Sequence, residues 1–410
     1  MEPDALTAVL LACLHPEASD ALSPRLAQLT PVDWEALLRL ARYHGIAPLL
    51  RRRLQPLASA AKIPSGILQT LRNDYLAIAG RNSRLYDQLG VALQLFGHEG
   101  LPVIVLIGAH LAELVYGNIA LRSMGDVDLL IRRTDLPRVE AVLLENGYRP
   151  DPHNGPAMQT EHFHYVYSHA PSGLVLEMHW HILPPQDAAL IDVEQLWKQA
   201  TPAKIANVET LVLSPEALLL HLCLHLYHHR FDTGLRAYCD IAEVIGRYRD
   251  VLAWQELAES LQTNMARRVV YIALRLTQSL LGTPAPDDIL SALYAGDTSE
   301  WEAVLRERIL HGEAEALSLK SLGLGGLWGK QPLRDKAMGL LRGLFPSAET
   351  MAQLYPVPAR SFHRYLYYPR YLIRMFGKFG STAWCLMRGD PGLRQKAASL
   401  EALDQWLRSP

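Results

Sequence analysis

The sequence predicts an α+β fold, with a small mixed sheet between residues 101 and 200 enclosed by helical regions on either side. Three observations point to it. Apolar residues recur at the helical period before residue 100 and after residue 214. A β-branched run, PVIVLI at 102–107, interrupts that pattern. Two alternating runs joined by a glycine turn follow it. The expected divisions are a helical region at 1–100, the α/β core at 101–200, a helical domain at 201–320 and a basic, aromatic helical region at 321–410.

Thr30, with Pro31 next and Asp33 three residues on, marks a helix start. Trp34, Leu37, Leu38 and Ala41 then form its core stripe. Arg51, Arg52 and Arg53 read as a solvated face, and a helix from about Leu68 to Phe96 ends near Gly97 and Gly100. PVIVLI is a buried strand, broken by Gly108 and followed by a short helix that Gly117 stops. VDLLIRR (127–133) is a second strand, after which Thr134 caps a helix to Gly147. HFHYVYS (162–168) and LVLEMHWHI (174–182) form a hairpin with Gly173 in the turn. From Ser214, with Pro215 at the first helical position, the chain is helical to about Arg249. Further helices cover roughly 251–281 and 298–318, and glycines and prolines at 321–332 mark a joint.

The chain has 410 residues, 49% of them hydrophobic, which excludes a wholly disordered protein. With 40 basic against 42 acidic side chains, no overall charge drives it toward nucleic acid or anionic lipid. Cys13, Cys223, Cys239 and Cys385 are scattered and form no CxxC pair, so they read as reduced thiols. Glu2 and Asp4 stand where a signal peptide needs positive charge. His110, Glu113 and Asn118 interrupt the most apolar stretch, 103–121, so a transmembrane segment is not expected. The expectation is a cytoplasmic protein.

The main chemical signal is Asp126-Val127-Asp128. Residues two apart on a strand share a face, so the two carboxylates project together and repel unless a cation lies between them. Hard oxygen donors suit Mg²⁺ or Mn²⁺. On LVLEMHWHI the same period places Glu177, His179 and His181 on one face and Leu176, Met178 and Trp180 on the other. If this strand lies beside the Asp strand, three carboxylates converge, the ligand set of a two-metal site that holds a triphosphate. The turn at Gly108 and Ala109, between strand and helix, offers backbone N–H groups and a helix dipole to phosphate, and Arg122 adds a positive charge.

Gly108, seventeen intervening residues, Asp126-x-Asp128, and Glu177 on a later strand together resemble the nucleotidyltransferase superfamily of the DNA polymerase β type. The string LIGAHLAELVYGNIALRSMGDVDLLI is similar to a bacterial branch described as uncharacterised nucleotidyltransferases. The likeness continues in residues 34–50, 221–245 and 344–361. The resemblance implies a nucleotidyltransferase core in which Gly108 and Ala109 cradle the triphosphate of an NTP substrate. Asp126, Asp128 and Glu177 would hold the metals, with Glu177 also able to take a proton from the acceptor. The implied reaction moves a nucleoside monophosphate to an acceptor, a small molecule, peptide, protein or RNA, and releases pyrophosphate. It also implies that His225, His229, Arg236 and Asp240 face the cleft. Branch members carry a lysine before the glycine where this chain has Ile107. That departure motivates a rival reading, a nucleotide-binding or regulatory module without chemistry.

His221, His225 and His228 or His229 share a helix face, open to packing, to substrate or phosphate contacts, or to a transition metal. His179 sits beside Glu177, where it can orient the site or contact substrate. Asp240 can pair with Arg236 at i+4. Eight basic residues against Asp390 at 356–400, interleaved with aromatics, read either as a nucleic-acid, acidic-peptide or membrane surface, or as an amphipathic face packed on the body. The basic stretch also motivates a toxin-type transferase acting on tRNA or protein. Base, acceptor and oligomeric state are not written in the sequence.

Overall fold

Seven strands make one mixed sheet, ordered β3-β4-β5-β2-β1-β7-β6. They are β1 (Ile104–Val105), β2 (Val127–Leu130), β3 (Arg149–Pro150), β4 (His164–His169), β5 (Leu174–His179), β6 (Thr201–Ile205) and β7 (Val208–Val212). The computed structural model describes residues 2–15, 22–151, 154, 162–311, 362–372 and 391–409. Two compact units divide the chain, Met1–Asp297 and Thr298–Pro410.

In the first unit, α1 (Pro3–Leu14), α2 (Leu22–Ala27), α3 (Pro31–Tyr43), α4 (Ala47–Leu54) and α5 (Ser65–His98) precede the sheet. Within it lie α6 (Ile107–His110), α7 (Leu136–Glu145) and α8 (Val193–Gln199). After it come α9 (Pro215–His228), α10 (Leu235–Arg247), α11 (Trp254–Ser260), α12 (Asn264–Leu281) and α13 (Asp287–Leu293). The second unit holds α14 (Ser299–His311) and α15 (Pro391–Arg408), which meet through stacked Trp301 and Trp406 rings 6.4 Å apart. Most of the basic, aromatic stretch at 356–400, the joint at 321–332 and Cys385 lie outside the described residues. Among the described residues no helix is long and apolar enough to cross a membrane, and Cys13, Cys223 and Cys239 are buried and unpaired.

Local chemistry accounts for the main elements. Thr30 and Asp33 close a reciprocal capping box at the start of α3. Val127, Leu129, Leu176 and Met178 are fully buried on one face of the sheet. They pack there with Tyr86, Leu89 and Phe96 of α5 and Val139 and Leu143 of α7. Ser214 accepts from the Ala217 N–H, and Pro215 has no N–H that needs an acceptor, so α9 starts there.

Four expectations are corrected. The strand after Val127 ends at Leu130, and the next helix starts at Leu136 without a Thr134 cap. Pro137 fixes that start, since proline fits only in a helix's first turn. Residues 201–212 form the β6–β7 hairpin rather than a helix, turning at Ala206 and Asn207 with φ of 50° and 62°. The helix expected to run to Arg249 breaks after His228. Arg230 and Phe231 take positive φ there, and Gly234, at φ 67°, starts α10. A side chain at Gly234 would be strained by that φ and would place its β-carbon 3.2 Å from His44 Nδ1. Finally, Arg52 and Arg53 are not a solvated face: both are part-buried beside Glu243 of α10.

Candidate active site

Pairing across the sheet brings the acidic residues together. β2 and β5 run parallel with Asp128 opposite Glu177 and Leu130 opposite His179. With Leu129, Leu176 and Met178 turned into the core, Asp128, Glu177 and His179 project from the other face. β4 adds His164, opposite His179 in an antiparallel pair. His179 Nε2 lies 3.1 Å from Asp128 Oδ1 and 3.4 Å from Glu177 Oε2, and His164 Nε2 lies 3.6 Å from the same Glu177 oxygen.

A basic side chain, His179, thus stands within reach of both the Asp128 and the Glu177 carboxylates. Burial works against charge on His179, but its hydrogen bonds to Asp128 and Glu177 raise it to about 9. Burial also acts to raise Asp128, and the His179 hydrogen bond and charge outweigh it, leaving that carboxyl below its ordinary value. Burial and then the His179 charge push His164 down to about 4. Asp126 stands exposed just ahead of β2; its carboxyl is raised by partial desolvation, then by the charges of Asp128 and Glu177. All three carboxylates thus share one field.

The Gly108 turn lies against the same loop. The Leu106 N–H donates to the Asp128 carbonyl at 3.0 Å. A β-carbon on Gly108 would lie 3.5 Å from Met124 Sδ, 3.8 Å from Arg122 Nη1 and 3.9 Å from the Asp126 carbonyl. From α5, Tyr86 donates to the Ala109 carbonyl at 2.6 Å and Asn82 to the Arg122 carbonyl at 2.7 Å. Because α6 spans four residues and passes into a π turn, Leu111–Val115, only the turn's own N–H groups face this loop; a long helix dipole is not built here.

Arg122, expected to add positive charge for phosphate, is buried with most of its guanidinium engaged. Its Nε and Nη2 grip Asp240 of α10 at 3.0–3.1 Å, and both side chains are buried. Tyr116 donates to the same carboxylate at 2.9 Å. Asp240 therefore pairs with Arg122, not with Arg236. Arg236 instead donates to the carbonyl and hydroxyl of Ser123, at 3.3 and 3.2 Å, steadying the loop that leads to Asp126.

α9 presents its histidines as a ladder. His221 and His225 ring centroids are 6.3 Å apart, and those of His225 and exposed His229 are 4.5 Å apart. His221 and His225 lie within electrostatic reach of Asp128. His228 meets Phe163, which also contacts His179. His181 follows the end of β5 and accepts from the Leu183 N–H, away from Glu177. Two residues were missed in the sequence. His164 carried a signal, the alternation of HFHYVYS, but its partner is set by the hairpin register. Arg81 carried none: its Nη2 lies 3.8 Å from a β-carbon built on Gly125, beside Asp126.

Buried neutral histidines set a pH response. Burial holds His110 at about 4 and, as first cause, His221 at about 3. Between those values and about 6.5 the unfolded chain binds protons that the folded chain refuses. Stability should therefore fall as pH drops below about 6.5, by roughly 3 kcal/mol for His110 and roughly 5 kcal/mol for His221 at full extent. Urea midpoints from pH 7 to pH 4.5 measure this, and His221→Asn should flatten the slope.

The mixed seven-stranded sheet with helices before and after it is consistent with a nucleotidyltransferase fold. Residues 30–282 match the model of a family described as uncharacterised nucleotidyltransferase, and the chain belongs to that family. No curated protein and no solved structure matches the chain.

Proposed function

We propose that this protein is a metal-dependent nucleotidyltransferase that moves a nucleoside monophosphate from an NTP to a hydroxyl-bearing acceptor. The observation that carries the reading is the pairing of Asp128 with Glu177 across β2 and β5, with Asp126 and the Gly108 turn alongside. The donor set fits a metal. His164, Glu177 and His179 offer ligand atoms within 4.8 Å of one another, and Asp128 Oδ1 adds a fourth beside His179. The separations of 3.1, 3.4 and 3.6 Å approach the roughly 3.3 Å edge of a tetrahedral site with bonds of about 2.0–2.1 Å. Two imidazoles beside two carboxylates favour Mn²⁺, or another first-row ion that accepts nitrogen, over Mg²⁺.

A bound divalent ion supplies charge neutralisation for the triphosphate and the attacking oxygen. Asp128, Glu177, His164 and His179 would hold it, with His179 giving up its proton and the Asp126 carboxylate alongside. The N–H groups of Gly108 and Ala109 orient phosphate oxygens, and Arg81, Arg236 and the Nη1 edge of Arg122 add positive charge where Ile107 replaces the family's lysine. The acceptor oxygen bonds to the α-phosphorus, the bond to pyrophosphate breaks, and Glu177 takes the hydroxyl proton. His225 and His229 offer donors to the acceptor.

Calorimetric titration with each NTP, with Mn²⁺, with Mg²⁺ and without metal, tests this beside the Asp126→Asn/Asp128→Asn variant. Metal-dependent binding of one NTP, tighter with Mn²⁺ and lost in the variant, is expected; equal binding by the variant overturns the site. The second reading, a binding module without chemistry, draws on His179 standing between the carboxylates. It would give NTP binding indifferent to metal and no pyrophosphate.

A further inference from the structure

Arg52 and Arg53 of the run at 51–53 border a cavity. A cleft of about 870 Å³ opens between α4, α10 and the end of α12. Four guanidiniums line it, from Arg52, Arg53, Arg247 and Arg249, against one carboxylate, Glu243. Arg52 hydrogen-bonds to Glu243, and Arg53 reaches the same oxygen only at 3.9 Å. One carboxylate thus serves two part-buried cations. Burial and then the Arg52 charge hold Arg53 below the usual arginine value. Arg247 spends its Nε on the Leu114 carbonyl, and Arg249 stands exposed at the rim. Thr283, which also lines the cleft, is 5% exposed, and its buried hydroxyl has no hydrogen-bond partner among the described residues. A buried orphan hydroxyl costs about 1–3 kcal/mol unless something pairs with it. Leu14, Leu49 and Leu281 make an apolar wall, with Trp254 beside them.

Excess positive charge, an unmatched hydroxyl and an apolar wall specify one kind of ligand. We infer that this cleft binds a small organic phosphate, its anionic group held by Arg53 and Arg249 with Thr283 Oγ1, and its apolar body against Leu14, Leu281 and Trp254. The site is separate from the acidic one. On α10, Cys239, Glu243 and Gly246 form the stripe that lines the cleft, whereas Asp240 turns to Arg122. Tyr116 joins the two sides, with the Arg52 guanidinium 5.8 Å over its ring and its hydroxyl on Asp240. The ligand therefore sits where an effector does, away from the reacting atoms.

Calorimetry on the full chain at fixed ionic strength, with phenyl phosphate, inorganic phosphate and phenol as probes, tests the inference. One phenyl phosphate per chain is expected, equally in the wild type and in Asp126→Asn/Asp128→Asn. Binding should be at least tenfold weaker in Arg53→Gln and in Thr283→Val, and weaker in Arg249→Gln, which lies on the surface and should leave folding intact. Inorganic phosphate should bind more weakly, and phenol not detectably. No binding of phenyl phosphate at millimolar concentration, binding indifferent to all three variants, or binding lost with the acidic pair would each overturn it. Equal affinity for inorganic phosphate would overturn the organic part.

Discussion

Replacing Asp240 by alanine should destabilise the protein by about 3–5 kcal/mol, the cost of leaving a buried charge without its partner. Arg122 and Asp240 have side-chain exposures of 8% and 2%, so solvent cannot take over when one is lost. The Tyr116 hydroxyl loses its acceptor in the same step. Urea denaturation of Asp240→Ala measures the effect. The pair's own contribution is a different quantity, because two desolvated ions hold one another only against a large hydration penalty. The double variant Arg122→Met/Asp240→Leu should thus recover most of the loss, since apolar side chains need no partner. A single-variant loss below 1 kcal/mol would mean that the pair is open to water. A double variant no more stable than the single would mean that Arg122 holds the loop by shape.

Asp128→Asn should lower nucleotidyl transfer at least a hundredfold, because an amide is a poor ligand for a hard divalent ion. It should also cost the metal-free protein about 1.5–3 kcal/mol at pH 6, the range for a hydrogen bond to a charged partner. The pH dependence separates the two effects. His179 is raised in the folded chain, so its stabilisation is fully present below about 6.5 and is lost as pH rises through about 9. The stability gap between wild type and variant should close above pH 9, while the transfer defect stays. A gap independent of pH would show that His179 is neutral in the metal-free protein.

Much of this arrangement was legible because it depends on period alone. Alternation put Glu177 and His179 on one strand face, and β5 beside β2 in register carries that face to Asp128. What could not be read depends on partners far apart in the chain. Arg122 and Asp240 are 118 residues apart, and no local pattern links them; the i+4 rule pointed to Arg236 instead. The β6–β7 hairpin was missed because its turn uses Ala206 and Asn207 at positive φ, without the glycine that signals such a turn. His164 lay in a strand that was read, but its approach to Glu177 follows from the hairpin register. The arginine run looked solvated because nothing in 51–53 reveals that α10 packs there.

The parallel pairing of β1 with β7 has a consequence for synthesis. Ile104 lies opposite Leu211, so the sheet closes only after the whole stretch between them has left the ribosome. Residue 240 must follow before Arg122 has its counter-ion. A nascent chain that already displays Asp126, Asp128 and Glu177 still lacks α9, α10 and the neighbouring strand. Long-range closure of this kind is slow, because loop entropy must be overcome before any contact repays it. The acidic residues thus remain an open, hydrated cluster until the chain beyond residue 240 has emerged, and their surroundings are completed only after that point.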